Sequence, residues 1–130
     1  MSPAKLYLLI DTSAWIEYFN KTSHPISKEI ESALLLNTAV TSQIILAELL
    51  QGAKSEKEVE LILDLPSVVK ILEEGPSIWQ EAGLLANKLR KEGKTIPLID
   101  CFLAVLAQEH KASILSLDKH FKLLGNHAKI

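Results

Sequence analysis

Apolar residues fall into two kinds of run along the chain. Short β-type stretches stand at residues 5–10 (KLYLLI), 37–41 (NTAVT), 68–72 (VVKIL) and 112–117 (ASILSL). The first is apolar almost throughout, the pattern of a strand buried on both faces of a parallel sheet. Between these stretches the apolar positions recur at helical spacing. A short helix after Asp11 carries Ala14, Trp15, Ile16, Tyr18 and Phe19, and Asp11, Thr12 and Ser13 offer capping chemistry at its start. A second helix over 25–36 sets Ile26, Ile30 and Leu34 on one face. A third over 43–51 is capped by Ser42 and closed by Gly52. An amphipathic helix over 55–65, with the charged run EKEVE, ends at Pro66. A long helix over 76–91 has Pro76 near its start and Gly93 just past its end. Pro97 opens another helix that runs to about His110, and a short one covers 119–124. Any last strand must fit within 127–130.

Strands separated by helices predict an α/β domain with a mostly parallel sheet and right-handed crossovers. The 130 residues are expected to form a single domain, since no repeat, low-complexity segment or Pro/Gly-rich linker divides them. A formal net charge of −2 supplies no global attraction for nucleic acid, so any such affinity must be local. One cysteine, Cys101, excludes an internal disulfide and fits a reducing compartment. No apolar run approaches the roughly 20 residues that span a bilayer, so the expected location is the cytoplasm.

The acids change the picture. There are four aspartates, and two of them, Asp11 and Asp118, stand at or just beyond the carboxyl end of a predicted strand, where ligands bind in parallel α/β sheets. Asp100 is the only charge in IPLIDCFLAVLA, a helix apolar around most of its circumference. Glu48 is likewise the only charge in IILAELL. An ionised carboxylate without a partner is strongly disfavoured in an interior, and protonation, pairing or metal coordination relieves it. Pairing is poorly supplied, since Arg90 is the only arginine and the lysines mostly fall on polar faces. Converging acids are reconciled by a hard divalent cation with oxygen ligands, Mg²⁺ or Mn²⁺. Each acid also has a plain structural reading. Asp11 and Asp118 can cap helices, Glu48 can reach solvent, and Asp100 in a first turn gains roughly 0.3–1 kcal/mol from the helix dipole. All four must hold at once for the chain to lack a site.

The segments YLLIDTSAWIEYF, ILAELLQG, GKTIPLIDCFLAVLAQEH and ILSLDKHF, in this order, resemble the PIN domain, and within it the VapC-like toxins of toxin–antitoxin pairs. The resemblance implies a three-layer α/β/α fold with a mostly parallel sheet of four or five strands, an acidic pocket for one or two Mg²⁺ or Mn²⁺ ions, and hydrolysis of RNA phosphodiester bonds by an endoribonuclease. It also implies a homodimer and a cognate antitoxin that blocks the pocket. Carried over position by position, Asp11, Glu48, Asp100 and Asp118 match the family's acidic quartet, as metal ligands and catalytic groups. Ser13 matches a residue that orients the first carboxylate, and Ser116 matches the hydroxyl two places before the last. One position departs: many relatives carry a further acid two residues after the fourth, and here it is His120, which on its own reads as a partly exposed helix residue.

An acidic pocket needs basic surroundings to hold RNA. Lys88, Arg90, Lys91 and Lys94 cluster shortly before Asp100, and Lys119 and Lys122 follow Asp118. They can hold phosphates without reading sequence, or simply solvate helix ends. Trp15, Tyr18, Phe19 and Trp79 are candidates for the core, a dimer face or an antitoxin groove. A haloacid-dehalogenase-type phosphatase would need a second Asp where Ser13 stands. A phosphoacceptor receiver domain would need an acidic pair near the end of its first strand. A non-catalytic PIN-like module that binds RNA or protein is the remaining alternative, and such modules typically lose acids that this chain keeps.

Overall fold

The computed structural model describes residues 6–124. The expected last strand at 127–130 lies outside them. Four strands, β1 (Leu8–Ile10), β2 (Ala39–Thr41), β3 (Lys70–Ile71) and β4 (Ser113–Leu115), form one sheet in the order β3-β2-β1-β4. All three pairings are parallel, with Leu9 opposite Val40 and Ile114, and Val40 opposite Lys70. Parallel neighbours need long crossovers, and six of the seven helices among the described residues supply them: α1 (Thr12–Phe19), α2 (Ile26–Leu35), α3 (Gln43–Gly52), α4 (Glu56–Asp64), α5 (Ile78–Lys91) and α6 (Leu98–Glu109), with α7 (His120–Leu123) following β4. The result is the three-layer α/β/α arrangement. From β1 the chain builds outward through β2 to β3, then returns to the opposite side of β1 for β4. The order therefore reverses between β1 and β4, and the crevice beyond their carboxyl ends is where this topology receives ligands.

The core explains why the central elements read so clearly. Leu9, Ile10 and Val40 are fully enclosed. In α6 all seven residues from 101 to 107 are buried, so this helix is wrapped on every side, and only its two ends carry charge. Burying side chains such as Phe102 or Leu106 contributes about 1.5–3 kcal/mol each. The aromatic candidates divide. Trp15 is wholly buried and stacks on Phe19, whereas Trp79 is 43% exposed and lies flat on Phe102 with centroids 4.1 Å apart.

Several strand boundaries are shorter than the apolar runs, for local reasons. Asn37 has φ 62°, a left-handed conformation that no strand residue adopts, so β2 starts at Ala39. Pro66 sits in a 3-10 turn (Leu65–Ser67) that takes up the run before β3. β4 stops at Leu115 because Ser116 turns aside to serve a carboxylate.

Four helices end on a left-handed residue, Lys21 after α1, Asn37 after α2, Gly93 after α5 and Lys111 after α6. After the last three, the next N–H reaches back to a carbonyl five residues earlier: Thr38 to Ala33 (2.9 Å), Lys94 to Leu89 (2.8 Å) and Ala112 to Ala107 (2.8 Å). Glycine and asparagine accept that conformation readily. Lys111 does so against the preference of a side chain with a Cβ. Its turn nonetheless aims the chain into β4, and so towards the crevice.

Candidate metal centre

Asp11 leaves β1 still hydrogen-bonded to the sheet, its N–H donating to the Leu115 carbonyl at 3.0 Å. That fixes its side chain at the mouth of the crevice. Asp11 occupies the residue before α1 but its carboxylate caps no helix N–H, which corrects the capping expectation. Its Oδ2 instead accepts the Ser116 hydroxyl at 2.8 Å and lies 3.3 Å from the Ser13 hydroxyl. Ser42 and Ser55 do cap their helices, from the same chain position. The difference is that the Asp11 carboxylate is met by two serine hydroxyls, from Ser13 and Ser116.

The two serines tie β4's exit to α1. Ser13 Oγ accepts the Leu117 N–H at 3.0 Å, Ser116 Oγ accepts the Asp118 N–H at 2.9 Å, and the two hydroxyls are 3.1 Å apart. Both expected supporting residues thus stand at the first carboxylate, and Ser116 also sets the path that carries Asp118.

Asp100 projects from the first turn of α6, its side chain 13% exposed. Its carboxyl is pushed up from 3.8 to about 6, first by burial and then by the negative charges of Asp118 and Asp11, with His120 acting the other way. The neighbouring Cys101 thiol is likewise pushed up, by burial and then by Asp100, and is an inert core group. Asp118 Oδ1 accepts the His120 N–H at 2.9 Å. The His120 ring then returns, its Nδ1 lying 3.0 Å from both Asp118 Oδ1 and Asp100 Oδ2. Ligand atoms of Asp100, Asp118 and His120 all fall within 4.8 Å of one another.

Of the four acids, Asp100 and Asp118 share this group, and Asp11 stands outside it but near enough for its charge to raise the Asp100 carboxyl. Glu48 is attached differently: it projects from α3 and accepts the Thr12 hydroxyl at 2.8 Å, which links it to the residue after Asp11. Two further groups stand at the site: Thr12, which the sequence marks only as a helix starter, and His120, the one position that departs from the acidic pattern. The basic candidates Lys88, Arg90, Lys91, Lys94, Lys119 and Lys122 are all exposed. Among the described residues no Lys or Arg lies within ion-pair distance of Asp11, Glu48, Asp100 or Asp118; His120 is the only such partner. Crowded carboxylates and an imidazole without a fixed cation are a donor set that suits a divalent metal.

Comparison with known proteins agrees with this chemistry. The PIN domain family model matches residues 8–126. A VapC ribonuclease of Mycobacterium bovis and ribonuclease VapC11 of Mycobacterium tuberculosis are each 31% identical over 122 residues, covering 91% of this chain and 91% of theirs. Among solved structures, VapBC-1 from nontypeable Haemophilus influenzae shares 29% identity and a TM-score of 0.73, over 93% of this chain and 94% of the matched one. VapBC2 from Rickettsia felis, bound to a promoter DNA fragment, shares the fold with a TM-score of 0.75 at 24% identity, over 93% and 95%.

Proposed function

This chain belongs to the PIN-domain family, and we propose that it is a metal-dependent endoribonuclease, the toxin of a type II toxin–antitoxin pair. The observation that carries the reading is the meeting of Asp100 and Asp118 with the His120 ring, their ligand atoms within 4.8 Å of one another beyond the strand ends, where burial and the charges of Asp118 and Asp11 raise the Asp100 carboxyl. A protein that buries like charges together without a fixed cation sacrifices stability for a site. The ribonuclease relatives and the VapBC structures support the nuclease activity and a protein antitoxin as partner.

Mg²⁺ or Mn²⁺ fits the carboxylates, and when bound it supplies Lewis acidity toward water and the scissile phosphate. In the proposed arrangement Asp100 and Asp118 would hold the ion directly. Asp11, immobilised by Ser13 and Ser116, contributes its free oxygen. Glu48, oriented by Thr12, accepts the proton of the attacking water. Water attacks phosphorus in line with the departing 3′ oxygen, which takes a proton from solvent as the P–O bond breaks, leaving a 5′ phosphate and a 3′ hydroxyl. Arg90, Lys91, Lys94 and Lys119 draw RNA phosphates to the rim, and a homodimer in the cytoplasm completes the proposal. No helix among the described residues is long and apolar enough to cross a membrane.

The test is cleavage of a structured RNA by the purified protein with Mg²⁺, Mn²⁺ or EDTA, with product ends mapped. Cleavage is expected only with a divalent ion, and Asp11→Ala and Asp100→Ala should each lower it by about a hundredfold or more. Equal cleavage by wild type and both variants would assign the activity to a contaminant and overturn the proposal.

A further inference from the structure

One group at the centre has no part in a four-acid scheme. His120 follows Asp118 by two residues, and its ring lies between two carboxylates on different elements, one in the loop after β4 and one in the first turn of α6. We propose that His120 is itself a ligand, so that this centre is held by two carboxylates and an imidazole nitrogen and prefers Mn²⁺ over Mg²⁺. The inference rests on the metal centre proposed above and goes beyond it in naming the ligand set and the ion it selects.

The geometry supports it in three ways. Nδ1 lies 3.0 Å from each of two carboxylate oxygens. Adjacent ligands of an octahedral ion with bonds of about 2.1 Å are themselves separated by about 3.0 Å, so the nitrogen already stands at ligand spacing from each of the two oxygens. The Asp118 carboxylate is held by the His120 backbone N–H, so oxygen and nitrogen arrive on one short turn and keep their relation without a long side chain. The ring is 38% exposed, which leaves a path from solvent for an ion. A nitrogen donor suits the borderline first-row metals, whose affinity rises along the series that begins with Mn²⁺. Mg²⁺ favours an all-oxygen shell and dehydrates reluctantly. The rival role is a hydrogen-bonded histidine that merely neutralises two acids, and the two roles differ in whether nitrogen touches metal.

The experiment is electron spin echo envelope modulation of the Mn²⁺-loaded protein, with Mn²⁺ and Mg²⁺ affinities measured by calorimetry. Wild type should show ¹⁴N coupling that is absent in both His120→Asp and His120→Ala. Its preference for Mn²⁺ over Mg²⁺ should exceed that of His120→Asp by roughly tenfold. Bound Mn²⁺ that is lost in Asp100→Asn but carries no His120-dependent nitrogen coupling, or a preference unchanged in His120→Asp, overturns this ligand assignment and leaves the nuclease centre standing. Failure of wild type to bind Mn²⁺ at all would remove both.

Discussion

Asp100→Asn should make the metal-free protein more stable while destroying its proposed activity. The substitution keeps the shape of the side chain and an oxygen facing His120 Nδ1, and removes only the charge. Moving a carboxyl from 3.8 to about 6 corresponds to at most about 3 kcal/mol against the folded state. Asp100 retains some contact with water and its neighbours are a third exposed, so screening brings the expected gain to about 1–2 kcal/mol. The sign follows from linkage. A carboxyl whose folded value lies above its unfolded one destabilises the fold fully above about pH 6. The penalty shrinks as pH falls through 6 and is gone below about 4. Urea denaturation in EDTA, followed by the fluorescence of Trp15 and Trp79, should show the variant ahead at pH 7.5 and level with wild type at pH 4. Adding Mn²⁺ at a hundred times its Kd should stabilise wild type by about 2.7 kcal/mol and the variant far less. A variant less stable than wild type at pH 7.5 in EDTA, or a gap that ignores pH, would refute the claim that like charges are stored at this site.

Two further substitutions probe the supports. Ser116→Ala removes the donor to Asp11 and the acceptor for the Asp118 N–H. It should lower kcat by about 10–100-fold with little change in KM, and parent-like kcat in steady-state RNA cleavage would show the serine to be dispensable. Lys111→Gly relieves the left-handed turn at φ 53° and should raise stability by about 1 kcal/mol in thermal or urea unfolding. A loss of stability there would mean the lysine side chain contributes more than its backbone strain costs.

How far the site was legible can be argued from single residues. Asp100 stood out because one charge in an apolar helix contradicts its surroundings, and that contradiction persists in the fold. Asp11 and Asp118 stood out because parallel sheets put ligands beyond strand ends, a rule that needs only the element order. Ser13 and Ser116 were found through family resemblance, and the fold supplied the reason: both hydroxyls meet one carboxylate. Glu48 was identified by the same contradiction as Asp100, yet its tie to the centre runs through Thr12, which no pattern marked.

Periodicity, punctuation by Pro and Gly, and misplaced charge were enough to determine the α/β class, the core helix and the acids, because each depends on neighbours in sequence and on the solvent. Strand ends, the role of Asp11's carboxylate and the position of His120 were decided by tertiary structure. Those depend on which donors arrive from residues about a hundred positions away, as Ser116 does for Asp11, or about twenty, as His120 does for Asp100. A one-dimensional pattern carries no distance between such residues until the sheet order β3-β2-β1-β4 brings them together.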